Sequence, residues 1–373
     1  METMKNISVI EEGIYKVNSV FSFHQKVHAE HFITGLIVDP KASILRISQL
    51  YGEKNHTNLN RFFTEDWWSE EKLNETRIIE FINKSEAYVL VSDDTDNPKT
   101  GKKIKGVSVF KKHDELGFEK AHCKVFTGIV NQAGEFTPLF STIYLKEEDA
   151  KKYGIEFKSK HDIVREHSKK AKALGLIIYA HIYDSWYFNA DMMEFSKDNE
   201  WIVSQLSGKY NLFIDGKKIK STDFKNSIDK RKMNTLHVHG KRIRCLKLIV
   251  KLSNDESVKI VPFIDEDSKR IKILVSTNLD WSAKRIFQEY SKRQKIETFI
   301  RDLKQELHLG SCSSRELKTH AKWDSLVLLA YTILKLFIKT NDAIKKRIST
   351  IGKAVDFIRE NIKLNSLFIK CKT

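Results

Sequence analysis

Tyr290, Arg293, Glu297 and Lys304 stand at offsets of 0, 3, 7 and 14 along one stretch of the chain. On an α-helix each residue turns by about 100°, so this spacing gathers the four within an arc of about 60°. Ile296, Phe299, Ile300, Leu303 and Leu307 form an apolar stripe about a quarter-turn away. One face therefore packs on a core, and its neighbour presents a carboxylate flanked by cations and a phenol. Arg as a planar fork and Lys as a point charge are the side chains that meet phosphate. The plainer alternative is a solvated face whose Arg293–Glu297 pair contributes only a few tenths of a kcal/mol.

The elements that must position these groups are read from changes of period. From Val17 to about Lys84, apolar residues such as Phe32-Ile33, Leu36 and Leu50 recur at helical spacing, and a further helix spans about Glu71 to Asn83. At Ala87 the period changes. Ala87-Tyr88-Val89-Leu90-Val91 reads as a buried strand ending at Ser92-Asp93-Asp94. Strands follow around Gly106–Phe110, Lys124–Val130 and Leu139–Tyr144, then a helix over about Lys160 to Leu174 that Gly175 stops. Leu176 to Tyr183 is a second strongly apolar strand, closed by Asp184. Strand–strand–strand–helix–strand, with an acid ending the first and fourth strands, is the order of a ribonuclease-H-like core, although many α/β folds begin this way. Short strands return between about Lys209 and Asn278, among them Leu212–Ile214, His237–His239 and Ile271–Ser276. Helical period resumes at about Ser282, with a break near His308–Ser314 and a basic amphipathic helix from Asp342.

Lys and Arg number 65 against 49 Asp and Glu in 373 residues, a formal charge of +16. Such an excess attracts polyanions, nucleic acid foremost, but a merely soluble basic protein fits the charge equally well. Cys123, Cys245, Cys312 and Cys371 are far apart and form no zinc-finger spacing, so free thiols in a reducing cytosol are expected. The first twelve residues carry acids and no apolar leader core, and the longest apolar stretch, Ser325–Leu334, is half a membrane span. A soluble cytoplasmic protein with no membrane partner is expected.

Tyr-x2-Arg-x3-Glu-x6-Lys, complete at Tyr290, Arg293, Glu297 and Lys304, resembles the signature of the IS4-type insertion-sequence transposases of the DDE superfamily. Ser92-Asp93-Asp94-Thr95-Asp96-Asn97-Pro98-Lys99 followed by Gly101-Lys102-Lys103 looks like that family's first-aspartate block, of usual form Asp-x-Thr. Ile182-Tyr183-Asp184-Ser185-Trp186-Tyr187 looks like its second. The resemblance spans about residues 15 to 340. It implies an α/β fold with a ribonuclease-H-like core, a β-rich insertion and an N-terminal all-α domain. The expected division is a helical DNA-binding region over 1–84, a first core part over 85–208, the insertion over 209–281, a second core part over 282–340 and a basic helix over 341–373.

The activity implied is metal-dependent cleavage and strand transfer of DNA. Asp93, Asp184 and Glu297 would ligate Mg²⁺ or Mn²⁺, two ions in all, because hard ions take carboxylate oxygens. Asp94 is the alternative first ligand, since a one-residue step reverses direction on a strand and only one of the pair can serve. The resemblance gives Arg293 and Lys304 the phosphates near the cut and Tyr290 the seating of the backbone. Double-stranded DNA is the expected partner, bound by a homodimer. A domesticated copy that only binds DNA and a non-mobile nuclease of the same fold are the alternatives. Gln294 departs from the family, which often has Trp there, and Trp281 reads as core. His181 reads as a satisfied core histidine. His237 and His239 share a strand face with no third metal ligand in view, and the stripe Leu326, Leu329, Ile333, Phe337 reads as helix core.

Overall fold

The computed structural model describes residues 2–50, 56–101, 103–112, 116–197, 200–265, 268–340 and 348–370. Lys102 of the first-aspartate block, Cys371 and part of the basic C-terminal region lie outside the described residues. Among the described residues, α-helices open the chain: α1 (Glu2–Lys16), α2 (Phe23–Val38), α3 (Ile44–Leu50), α4 (Thr57–Thr64) and α5 (Glu70–Phe81). Strands β1 (Ala87–Pro98), β2 (Ser108–Lys111), β3 (Phe118–Val130) and β4 (Phe136–Tyr144) follow, then α6 (Glu147–Tyr153) and α7 (Lys160–Ala173). β5 (Ile177–Tyr183), α8 (Ala190–Phe195) and β6 (Trp201–Gln205) complete this part.

Within the sheet β3 is antiparallel to β1, β1 is parallel to β5, and β5 is parallel to β6. β2 and β4 share the far edge of β3. β1 does not end at Asp94, as its turn-forming Asp and Asn-Pro residues predict. It continues to Pro98, because β3 pairs with it all the way from Val89↔Val130 to Pro98↔Ala121. Cross-strand pairing overrides local turn preference here. Asp93 and Asp94 consequently lie on an extended strand with their side chains on opposite faces.

The later strands are β7 (Asn211–Ile214), β8 (Lys217–Lys220), β9 (Asn234–Val238), β10 (Lys241–Cys245), β11 (Leu248–Leu252), β12 (Ser257–Ile264) and β13 (Ile271–Ser276), with α9 (Ser221–Ser227) between β8 and β9. They continue the same sheet: β13 lies antiparallel to β6, and β12, β11, β7 and β8 follow outward. β8 and β10 escape the sequence reading because Lys217–Lys220 and Lys241–Cys245 are rich in cations. The β9–β10 hairpin branches off through Cys245↔Phe263. His237 and His239 do not share a strand face, because β9 ends at Val238 and His239 adopts a left-handed φ of 49° in the turn.

α10 (Ala283–Ser291), α11 (Gln294–Gln305) and α12 (Leu317–Thr340) come next, and a helix over Ile351–Lys370 closes the described chain. α12 is buried along most of its length, which answers to its apolar composition. The N-terminal helices wrap it: Phe32 and Phe63 meet the Trp323 ring at 4.7 and 5.8 Å. Arg77 of α5 is fully buried and donates to the carbonyls of Pro138 (2.7 Å) and Leu139 (2.6 Å) on β4. Burial pulls its pKa down to about 9. Lys124 of β3 and Asp324 of α12 form a buried ion pair at 2.6 Å. The helical region and the sheet thus share one core instead of standing apart.

Candidate active site

Alternation along β1 decides which acid faces which helix. Val89 and Val91 pack in the core with Ile296, Phe299 and Leu303 of α11, whereas Leu90 faces the other way. With a period of two, Asp93 joins the α11 side and Asp94 the α7 side. The parallel register Val91↔Ile182 carries two residues further along both strands to Asp93 and Asp184, which puts the two acids at the same end of neighbouring strands.

Glu297 comes from α11. The sequence predicts one unbroken helix through Tyr290–Lys304, but the helix is interrupted at Lys292 and Arg293. There the amides bond three residues back: Arg293 to Tyr290, Lys295 to Lys292 and Ile296 to Arg293, at 3.0–3.1 Å. Both linking residues keep right-handed helical dihedrals, so the chain is tightened without a change of course. Arg293 still reaches Glu297, to which its Nη1 donates a short hydrogen bond, while its Nη2 donates to Asp93 Oδ2 at 3.0 Å. Its Nε is buried without a partner.

Asp93, Asp94, Asp184, Arg293, Glu297 and Lys304 all line a single cleft of about 960 Å³. Burial, opposed by the Arg293 charge and reinforced by Asp184 and Asp94, pushes Asp93 up to about 6. Tyr290 stands close enough to feel the same charges: burial, with Asp184, Glu297 and Asp93 adding to it against Arg293, moves its phenol to about 12. Arg293 is held above its ordinary value, since Asp93 and Glu297 together outweigh its burial. Lys304 donates to the Asp96 carbonyl of β1 at 2.8 Å, and burial lowers its pKa. Asp184 Oδ1 accepts from the Trp186 amide at 2.8 Å, which fixes the turn after β5.

Asp94 is engaged differently. Its Oδ2 takes Lys160 Nζ at 2.5 Å and its Oδ1 accepts from Tyr187 Oη at 2.8 Å. The residues that sequence reasoning missed are Lys160 and Trp186, both lining the cleft. Trp186 is 53% exposed, stacks on His161 at 4.6 Å and has Lys160 Nζ 5.4 Å from its ring. Trp186 lies only two residues past Asp184, which was the available signal. Lys160 lies 66 residues from Asp94 and carried none.

His181 is buried with Nε2 2.5 Å from Glu200 and Nδ1 2.8 Å from Tyr183 Oη, and Trp281 is buried too. The described cysteines, Cys123, Cys245 and Cys312, are buried and unpaired. Among the described residues no helix is long and apolar enough to cross a membrane.

Residues 20–222, more than half of the chain, match the family described as DDE superfamily endonuclease. The chain belongs to that family. A second match, to the transposase DDE domain, covers residues 178–333. The first matched span includes Asp93 and Asp184, and the second includes Asp184 and Glu297. No curated protein matches the chain. Among solved structures, the NurA nuclease from Sulfolobus solfataricus aligns over 79% of this chain and 98% of its own, at 10% identity and a TM-score of 0.26.

The donors suit a hard divalent ion. They are carboxylate oxygens from three elements around one cleft, with one arginine shared between two of them. As placed, the acids do not converge: among the described residues no group of three His, Cys, Asp or Glu is close enough to hold a metal, and the Arg293 guanidinium stands between Asp93 and Glu297.

Proposed function

We propose that this DDE endonuclease is a DNA transposase, cleaving duplex DNA and joining the new end to a target with Asp93, Asp184 and Glu297 as its metal-holding acids. The observation that carries the reading is the asymmetry on β1. Asp94 is neutralised by Lys160 and capped by Tyr187, whereas Asp93 shares one arginine with Glu297 beside Asp184. Asp93, Asp184 and Glu297 are the oxygen ligands that would take two Mg²⁺ or Mn²⁺ ions once Arg293 moves from between Asp93 and Glu297. When bound, such ions supply activation of the attacking oxygen and stabilisation of the leaving one. The strand arrangement β3–β1–β5–β6, antiparallel then parallel, supports a ribonuclease-H-like core, with the later strands as its insertion.

The chain's own cations then act on the DNA. Arg293 exchanges its carboxylates for a phosphate beside the scissile bond, a step its fork geometry allows and its unpartnered Nε favours. Lys304, held over the β1 backbone by the Asp96 carbonyl, meets a second phosphate and stabilises charge that grows in the transition state. Tyr290, with its phenol held protonated, donates to the sugar–phosphate backbone. Asp184, oriented by the Trp186 amide, lines the cleft beside Asp93.

The IS4-type signature at Tyr290, Arg293, Glu297 and Lys304 favours a mobile-element enzyme that works on its own ends as a homodimer. The complete set of acids favours an enzyme over a domesticated binding protein. A nuclease without strand transfer uses the same cleft. Incubating the purified protein with the DNA that flanks its gene, with and without Mg²⁺, and mapping 3′-hydroxyl ends and joined products separates these. Metal-dependent ends at fixed positions that reappear joined to a target support transposition. Metal-dependent ends that never join support the nuclease. No cleavage with Mg²⁺ or Mn²⁺ would overturn both.

A further inference from the structure

The chain's positive charge is not spread evenly. Residues 209–247 hold twelve Lys and Arg against three Asp, a net +9 of the chain's +16. Residues 1–84, where the family resemblance puts DNA recognition, hold ten Lys and Arg against twelve Asp and Glu, a net −2. A segment with that balance offers a phosphate backbone no net attraction.

We propose that this protein grips duplex DNA chiefly through the cationic β9–β10 hairpin and the Lys230–Lys232 turn tied to it, and that the N-terminal helices serve as packing for α12. The inference rests on the reading of the protein as a DNA-cleaving enzyme. Among the described residues only Arg231 of the twelve cations pairs with a carboxylate, that of Asp229. The remainder is uncompensated positive charge, and on the hairpin and the turn before it Lys230, Lys232, Lys241 and Arg242 are all exposed. In structural surfaces cations are commonly balanced by acids. Here the solvated strands carry almost none, which is the electrostatic footprint of a nucleic-acid face.

The hairpin shows how such a face is built and aimed. Leu236, Val238, Ile243 and Cys245 point inward to the core under α10, so their neighbours His237, Arg242 and Arg244 point out. Arg244 is braced by a hydrogen bond to the Lys230 carbonyl, which ties the hairpin to the Lys230–Lys232 turn. At the tip, His239 Nε2 lies 3.3 Å from Ser291 Oγ, the last residue of α10. Arg293 of the cleft follows two residues later. DNA held along the hairpin is thereby registered against the helix that carries the cleft.

The test is binding of a fluorescein-labelled duplex by anisotropy across a salt series, using the full chain. One variant is Lys230→Gln/Lys232→Gln/Lys241→Gln/Arg242→Gln. The other removes four exposed N-terminal cations, Lys41→Gln/Arg61→Gln/Lys72→Gln/Lys84→Gln. Thermal melting verifies that both fold. The insertion variant is expected to bind at least about tenfold more weakly and to lose about 0.9 from the log–log salt slope for each phosphate contact removed. The N-terminal variant is expected to bind as wild type. A wild-type protein that binds duplex, with the loss confined to the N-terminal variant or shared equally by both, overturns this inference alone. A wild-type protein that binds no duplex DNA even at low salt, or that prefers an RNA duplex, overturns it together with the functional reading beneath it.

Discussion

Asp93 and Asp94 are neighbours on one strand, and the two faces they occupy differ in almost every physical respect. Asp94 has a lysine at 2.5 Å and a tyrosine hydroxyl at 2.8 Å, with Lys160 itself lying over the Tyr144 and Trp186 rings. It is a satisfied carboxylate in a structural network. Asp93 shares one guanidinium with Glu297, lies close enough to Asp184 to be repelled by it, and is pushed up to about 6. Folding normally pairs partly buried charges one to one. Where it leaves acids crowded around too few cations, the deficit is kept for something the cleft binds.

The comparison breaks or sharpens under four substitutions. Asp93→Asn should have the largest effect: loss of a charged ligand forfeits several kcal/mol of transition-state stabilisation, about a thousandfold or more in cleavage rate. Duplex binding should hold or strengthen, since an anion beside a polyanion is removed. Activity within tenfold of wild type removes Asp93 from the site. Asp94→Asn should act on stability instead. It leaves Lys160 and Tyr187 imperfectly partnered at a site only partly open to water, a cost of about 1–3 kcal/mol. Urea denaturation checks this, and an unchanged midpoint contradicts the structural assignment.

Lys304→Ala should slow single-turnover cleavage by about 10- to 100-fold while leaving the metal-concentration dependence unchanged, because an ammonium stabilises transition-state charge without ligating metal. A shifted metal dependence with normal rate at saturating metal would mean Lys304 orders β1 rather than the phosphate. The smallest effect belongs to Trp186→Ala. Its exposed ring beside Asp184 offers stacking to an unpaired base, and losing it should cost about 1–3 kcal/mol of affinity for single-stranded or frayed ends. Intact duplex should bind as before. Equal loss on both substrates would mark the ring as a brace for His161 and Lys160.

How far the site was legible in the sequence follows from which contacts are local. Glu297, Arg293 and Lys304 share one helical segment, so their spacing alone put them on one face, even though the helix tightens at Lys292–Arg293. Asp184 closes an apolar strand and was equally visible. The choice between Asp93 and Asp94 was not, because it depends on Lys160 and Tyr187, which are 66 and 93 residues away. The extent of β1 was missed for a similar reason: its last four residues are held by β3, and their own preference is for a turn. Period gave the N-terminal helices but not their role as the jacket of α12, since Phe32–Trp323 and Arg77–Pro138 are long-range contacts. The cationic strands β8 and β10 were hidden by their own lysines and arginines, which break the apolar alternation.

The most direct test of the central claim sets the two aspartates against each other. Single-turnover cleavage of a labelled duplex is measured at saturating protein and saturating Mg²⁺, for wild type, Asp93→Asn and Asp94→Asn, each corrected for its folded fraction. Asp94→Asn should cleave close to the wild-type rate once the unfolded fraction is removed, and Asp93→Asn should stay at background. Wild-type cleavage by folded Asp93→Asn, with loss in Asp94→Asn, would contradict the account and move the reacting face of β1 to the side of Lys160.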